Sequence, residues 1–267
     1  MSPPRAPPSP VRWRAFAEPK GGHRRDEYED GHAGDAAAGR FAVTDGASES
    51  TFAGRWAELL ARGFVAAGPG EDWLDRCRAD WAREFGPGAA PSAGPLPWYA
   101  ELKRDEGAFA TFLGLELGRG SWRACAVGDA CLFHLRGGAP EGAFPVTRAA
   151  DFTNRPALLG SRPPPGTEPG PPFRRAEGRA EPGDHFLLAT DALAHWCLQR
   201  HEQGSPPWGE VLGLWEVEGE AAFADWVARR RASDGLRNDD VTLILIELCT
   251  PARSPPEGEQ GHEEPDR

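Results

Sequence analysis

Lysine is almost missing from this chain: Lys20 and Lys103 stand against 28 arginines. With alanine, glycine and proline abundant, that bias reads as genomic base composition rather than function. There is no excess of positive charge either. The formal net charge is -11, which argues against a nucleic-acid or anionic-membrane surface. No run approaches the ~18 apolar residues of a membrane span. The N-terminus lacks the apolar region of a secretory signal, so a soluble, cytoplasmic protein is expected. Cysteine is scarce and scattered: Cys77, Cys125, Cys131, Cys197 and Cys249 are odd in number and contain no Cys-x-x-Cys pair. That excludes a zinc ribbon and a disulfide framework and leaves five small hydrophobes. Gly-x-Ser-x-Gly, phosphate-loop and His-Glu-x-x-His patterns are also missing.

What is present is enough apolar residue for a core: 267 residues at 39% hydrophobic content suit one large domain with tails. The stretch around which the chain is organised is Phe41 to Ser50. Phe41–Thr44 reads as a short buried strand closed by Asp45-Gly46. From Phe52 the period changes: Phe52, Trp56, Leu59, Leu60 and Phe64 share one helical face, with Ser48 and Ser50 suited to cap it. A carboxylate at the end of a core strand, followed by glycine, is a rigid platform for a metal or phosphate, and the Gly46 carbonyl can serve as a ligand too.

Residues 1–10 are proline-rich and expected disordered, as is the acidic tail 250–267; the domain spans 11–249. Val11–Phe16 alternates like an edge strand. A charged segment, His23 to Gly31, then leads to the Asp45 strand. Trp73–Phe85 is a second amphipathic helix, followed by a linker from Gly86 to Pro97 and a third helix from about Trp98. Strands are expected at 110–117 and 122–127, with Gly128-Asp129 turning hairpin-like into Cys131–Leu135. Residues 137–182 show little periodicity and read as an irregular flap, a 46-residue span carrying Phe144, Phe152 and Phe173. His185–Thr190 is a buried strand ending in Asp191, with a helix after it. Two more helices cover 206–216 and 219–231, and Asn238-Asp239-Asp240 opens a last strand, Val241–Leu248.

Glu29, Asp30, Asp45, Asp191 and Asp239, with Asp129 nearby, therefore all flank expected core strands. Oxygen ligands without histidine or cysteine select Mg²⁺ or Mn²⁺ rather than zinc. Gathered together, such carboxylates would repel one another unless cations neutralised them. His195, Cys197 and His201 do not compete as a zinc site, because offsets of two and six residues place them on different helix faces.

The ordered motifs Arg-x-x-x-Glu-Asp (25–30), Phe-Ala-Val-x-Asp-Gly (41–46), Val-Gly-Asp (127–129), Leu-Leu-Ala-Thr-Asp-Ala-Leu (187–193) and Asp-Asp-Val-Thr-Leu-Ile (239–244) resemble the metal-dependent type 2C (PPM) Ser/Thr protein phosphatases, in particular their bacterial branch. The resemblance covers residues 11 to 248. It implies an α+β fold, a four-layer α-β-β-α sandwich of two mainly antiparallel sheets flanked by helices. It implies that Asp45 bridges two Mn²⁺ or Mg²⁺ ions, with the Gly46 carbonyl on one and Asp191 and Asp239 on the other. Glu29 and Asp30 would bind directly or through water, Asp129 would join Asp191 at a third, weaker metal, and Arg25 would clamp the substrate phosphate. Asp240 is the alternative to Asp239, which the family register favours. The implied activity is hydrolysis of phosphoserine and phosphothreonine in a protein substrate of a Ser/Thr kinase, by water activated between the metals, in a monomer without nucleic-acid or membrane partners. Two rivals share the fold: a pseudophosphatase binding module and a phosphohydrolase of small molecules. Ala47 stands where eukaryotic members carry a histidine, and Ala192 where glycine is usual. Ala192 costs nothing if it lies in the opening turn of the helix after Asp191.

Overall fold

The computed structural model describes residues 10–50, 52–70, 72–86, 107–162 and 173–249. Its frame is two five-stranded antiparallel sheets. One runs β1 (Val11–Glu18), β12 (Val241–Leu248), β11 (His185–Ala189), β7 (Cys131–Arg136) and β8 (Ala139–Phe144) in spatial order. The other runs β10 (Arg174–Arg179), β6 (Ser121–Val127), β5 (Phe112–Gly118), β3 (Arg40–Thr44) and β2 (Gly31–Asp35). A small pair, β4 (Phe109–Ala110) with β9 (Leu159–Gly160), sits beside the second sheet.

Strand alternation produces three apolar layers. In β12, Ile244, Ile246 and Leu248 face the other sheet and, beside Phe186 of β11, meet Phe41, Leu113 and Leu115 there. Val241, Leu243 and Leu245 face outward, against α3 (Asp191–Glu202), α4 (Trp208–Leu212) and α5 (Glu220–Ser233). A strand covered on both faces must be apolar throughout, which is why β12 reads as an unbroken hydrophobic run. On the far side of the second sheet, α1 (Ala53–Ala67) and α2 (Trp73–Phe85) bury Trp56, Leu60, Phe64, Trp73 and Trp81 over Phe112 and Val127. Each such large side chain contributes roughly 1.5–3 kcal/mol by leaving water. The outcome is the four-layer α-β-β-α sandwich that the resemblance implied.

Several local expectations need correction. Neither Ser48 nor Ser50 caps α1. Phe52 occupies the N-cap with φ 63, and the Ser50 hydroxyl instead donates to the Ala47 carbonyl at 2.8 Å. The Phe52 ring packs at a tilt against Phe85 of α2, with ring centroids 4.5 Å apart, which favours this conformation in the absence of a side-chain cap. The turn at Gly128-Asp129 is not a hairpin: β6 belongs to one sheet and β7 to the other, so it carries the chain across the sandwich. Gly128 has φ +99, and a Cβ there would meet Thr111 at 2.6 Å. The described residues of the 137–182 segment, 137–162 and 173–182, are not an irregular flap. Its β8 and β10 complete one edge of each sheet, and Phe144, Phe152 and Phe173 each pack against one of the three cores. Sequence periodicity missed these strands because both lie at edges and carry arginine, glycine and glutamate on their open sides. The first nine residues, the linker beyond Gly86, the helix expected from Trp98, positions 163–172 and the 250–267 tail lie outside the described residues.

Candidate metal and phosphate site

Asp45 follows β3 directly, and its backbone is fixed on both sides. Its N–H donates to Thr111 Oγ1 at 3.2 Å, its carbonyl accepts the Thr111 N–H at 2.8 Å, and the Ala47 N–H reaches the Phe109 carbonyl at 2.9 Å. Thr111 is the residue that separates β4 from β5, where the sequence suggested one continuous strand. Gly46 is there for space. A Cβ would lie 2.6 Å from the Glu29 carbonyl oxygen and 2.8 Å from the backbone of Ala53, so only glycine lets those segments close over the Asp45 turn.

Burial raises the Asp45 carboxyl well above the usual carboxylate range, and the charges of Asp30, Asp191, Asp129 and Asp239 raise it further. Four acidic groups from four separate parts of the chain thus act on one carboxylate.

Asp30 is buried at the start of β2. Its Oδ2 accepts hydrogen bonds from the Thr242 hydroxyl at 2.6 Å and the Thr190 hydroxyl at 2.9 Å. Thr190 Oγ1 in turn accepts the Thr242 N–H at 3.0 Å, and the Tyr28 hydroxyl meets Thr242 Oγ1. Burial pushes Asp30 well up, and the two threonine hydroxyls oppose that without cancelling it. Sequence reading passed over both threonines, although each lies within two residues of an acidic motif, in Ala-Thr-Asp and Asp-Val-Thr.

Asp191 opens α3, where the unpaired amides favour a negative charge, and its Oδ1 accepts the Ala192 N–H at 2.6 Å. Ala192 is the second residue of that helix and does not have a positive φ. Burial, then Asp239, raises Asp191, while its own amide contact and Arg237 pull it down. Asp129 is pushed up to about 7 by burial and then by Asp191. Its Oδ1 is buried without a hydrogen-bond partner among the described residues.

Glu29 is half-buried and raised, first by burial and then, against the Ser48 hydroxyl, by Asp240 and Asp239. Asp240 and Asp239 divide two tasks. Asp240 Oδ1 accepts the Lys20 N–H and its Oδ2 the Glu29 N–H, both at 2.7 Å. Asp239 uses only Oδ1, on the Asp240 N–H at 3.1 Å, and is the more exposed of the two.

Arg25 lies in a 3-10 turn, Arg25–Glu27, and turns away from the cluster: its Nη2 is 2.6 Å from Glu220 Oε2 at the start of α5. Among the described residues, Arg237 pulls both Asp129 and Asp191 down, His23 pulls Glu29 down, and Arg231 acts on Asp239 and Asp240.

The donor set is all oxygen, crowded by like charge, with an unpartnered buried carboxylate oxygen on Asp129, and it fits hard divalent cations. Among the described residues, no three acidic, histidine or cysteine side chains stand as a finished chelate. The charges of Asp30, Asp191, Asp129 and Asp239 all oppose ionisation of Asp45, the repulsion that a bound cation would relieve.

Solved structures show the same fold. The catalytic domain of the Ser/Thr phosphatase PstP, from Mycobacterium tuberculosis and in complex with two manganese ions, superposes with a TM-score of 0.56 at 18% identity, over 90% of this chain and 99% of that one. A bacterial serine phosphatase gives 0.57 at 12% identity, covering 89% and 98%. The PPM Ser-Thr phosphatase MsPP of Mycobacterium smegmatis, in complex with cacodylate, gives 0.51 at 15% identity, covering 90% and 99%. The chain therefore has the fold of the PPM-type Ser/Thr phosphatases. No family model matches the sequence, and no curated protein does. Among the described residues, no helix is long and apolar enough to cross a membrane.

Proposed function

We propose that this protein is an Mg²⁺- or Mn²⁺-dependent phosphoprotein phosphatase acting on phosphoserine and phosphothreonine. The observation that carries the reading is Asp45 at the end of a core strand, with the charges of Asp30, Asp129, Asp191 and Asp239 all acting on its carboxylate. Asp45, Asp191 and Asp239 would hold two cations, with the Gly46 carbonyl, Glu29 and Asp30 completing the set, and Asp129 with Asp191 a third. Bound there, divalent cations supply Lewis acidity for activating water and offsetting phosphoryl charge.

The chain's own part is to hold these groups still and to meet the phosphate. Thr190 and Thr242 fix Asp30, and the backbone pairing with Thr111 fixes Asp45. Arg25 would supply the guanidinium for the phosphoryl oxygens, binding in two-pronged fashion. Its ion pair with Glu220 joins two exposed side chains and is weak enough for a phosphate dianion to replace. With Ala47 beside Asp45, no side chain there can protonate the leaving group.

Turnover of p-nitrophenyl phosphate with and without Mn²⁺, beside a phosphothreonine peptide, tests the reading. Metal-dependent turnover of both substrates is expected. No turnover of either would favour a binding module, and a metal-dependent rate confined to small phosphate esters would favour a metabolite phosphohydrolase.

A further inference from the structure

Two sheet edges meet next to Asp30. β1 pairs only with β12 and β2 only with β3, and a Cβ on Gly34 of β2 would meet the Trp13 ring of β1 at 2.9 Å. Side chains alternate along β2. Gly31 and Ala33 face α1, where a Cβ on Gly31 would lie 2.6 Å from the Ala57 backbone. Asp30, His32 and Gly34 therefore share the opposite face, toward β1. The register of β1 completes the placement. Ala17 stands opposite Thr242, whose hydroxyl donates to Asp30 at 2.6 Å, and Ala15 stands opposite Ile244.

A cavity of about 230 Å³ opens at this step. Ala15, Ala17 and His32 line it from the strands. Phe16 and Phe223 line it from the side of α5, their ring centroids 4.9 Å apart. Its exposed lining residues are Arg25, Gly219 and Glu220, so the 2.6 Å ion pair of Arg25 with Glu220 stands at the mouth. From Asp30 to His32 is two residues of β2 geometry, a rise of roughly 7 Å.

The walls do not suit a second anion. Arg14, the other cation there, commits its guanidinium to the carbonyls of Trp215 and Val217 at 2.6 and 2.7 Å. Glu220 adds a negative charge at the mouth. What remains is alanine methyls and the aromatic pair, a surface that is stabilised by covering apolar carbon.

We propose that this cavity receives an apolar side chain of the phosphoprotein substrate, two positions from the phosphoresidue. The proposal rests on the phosphatase reading above. In an extended peptide, residues two apart share a side and lie roughly 7 Å apart, which matches the step from Asp30 to His32. When Arg25 exchanges Glu220 for phosphate, the ion pair at the mouth parts, so phosphate capture and side-chain entry are coupled.

Phosphothreonine peptides test it with Mn²⁺ present. They differ only two positions before or two positions after the phosphothreonine, as alanine, leucine, phenylalanine or glutamate. Leucine should raise kcat/KM over alanine by about ten-fold at one of the two positions, and glutamate should not. His32→Ala enlarges the cavity and should turn the preference from leucine to phenylalanine. His32→Trp fills it and should bring leucine and alanine within two-fold of each other. His32 forms no hydrogen bond with a described residue, so neither exchange leaves a partner stranded. Each preference is a ratio between peptides on one protein, so a general loss of rate or stability cancels.

A leucine-to-alanine ratio within two-fold at both positions in wild type would overturn the proposal. So would an unshifted preference in His32→Ala, which decides alone should His32→Trp fail to fold. Turnover of p-nitrophenyl phosphate but of no peptide would overturn it as well. Wild-type protein that turns over neither the peptides nor p-nitrophenyl phosphate with Mn²⁺ would instead remove the phosphatase reading itself, and this proposal with it.

Discussion

Asp240 Oδ2 accepts the backbone N–H of Glu29 at 2.7 Å, tying the last acidic motif of the chain to the first across 211 residues. Its other oxygen accepts the Lys20 N–H at 2.7 Å. With both oxygens engaged by amides, Asp240 joins loops, and the neighbouring Asp239 is left to face the cluster.

Substituting the two should therefore give opposite results. Asp240→Ala leaves two amides without acceptors and should lower unfolding free energy by about 2–4 kcal/mol. Asp239→Asn should leave stability nearly unchanged and remove Mn²⁺-dependent turnover. Denaturant melts beside p-nitrophenyl phosphate rates decide it. A stable Asp240→Ala protein, or an Asp239→Asn protein retaining more than a tenth of wild-type kcat, would refute the division.

Asp45→Asn should also abolish metal-dependent turnover, and without metal it should make the protein more stable. It removes the charge on which Asp30, Asp191, Asp129 and Asp239 converge. A gain of about 1–2 kcal/mol, read as a rise of ~2–8 °C in melting temperature, is expected in chelator. A lower melting temperature in chelator would count against the crowded-carboxylate account.

Gly46→Ala should destabilise by about 1–3 kcal/mol through overpacking, because the new methyl meets backbone atoms of Glu29 and Ala53 that cannot rotate away. Mn²⁺ affinity should fall as well, since Glu29 is displaced. Unaltered stability and metal affinity would mean that the Asp45 turn has more room than its contacts indicate.

If Arg25 must leave Glu220 to meet phosphate, Glu220→Gln should lower KM for a phosphothreonine peptide by about two-fold. Arg25→Ala should raise it several-fold with Mn²⁺ affinity intact. An unchanged KM in Arg25→Ala alongside weakened Mn²⁺ binding would place Arg25 in a structural role.

Away from the site, a pH-dependent contribution to stability is expected from Asp184. Burial works against its ionised form, but two bonds from Arg136, the Glu181 amide and His134 outweigh burial and hold the carboxyl at about 2. Because the folded value lies below the ordinary 3.8, this contribution is present above about pH 4. It is lost as the pH falls toward 2. Asp184→Asn should flatten the decline of melting temperature across that window, and a wild-type slope in the variant would remove Asp184 from the account.

The sequence by itself determined the strands and helices whose burial demands a period. The unbroken apolar run of β12, the alternation of β1 and the helical face of Trp73–Phe85 all appear in the fold at or close to their expected bounds. It also determined which acidic residues end core strands, because Asp-Gly and Thr-Asp after an apolar run mark the place where a chain leaves a sheet. Tertiary structure decided the rest. Which sheet a strand joins depends on contacts far along the chain, so β6 and β7 read as a hairpin and yet lie in different sheets. The edge strands β8 and β10 carry little apolar signal because solvent covers one side of each. That Asp240 joins loops depends on the amides of Lys20 and Glu29, over 200 residues away, and the direction of Arg25 on Glu220. The two threonines that hold Asp30 show no periodicity of their own, so Thr190 and Thr242 became visible only once folding brought their hydroxyls to its carboxylate.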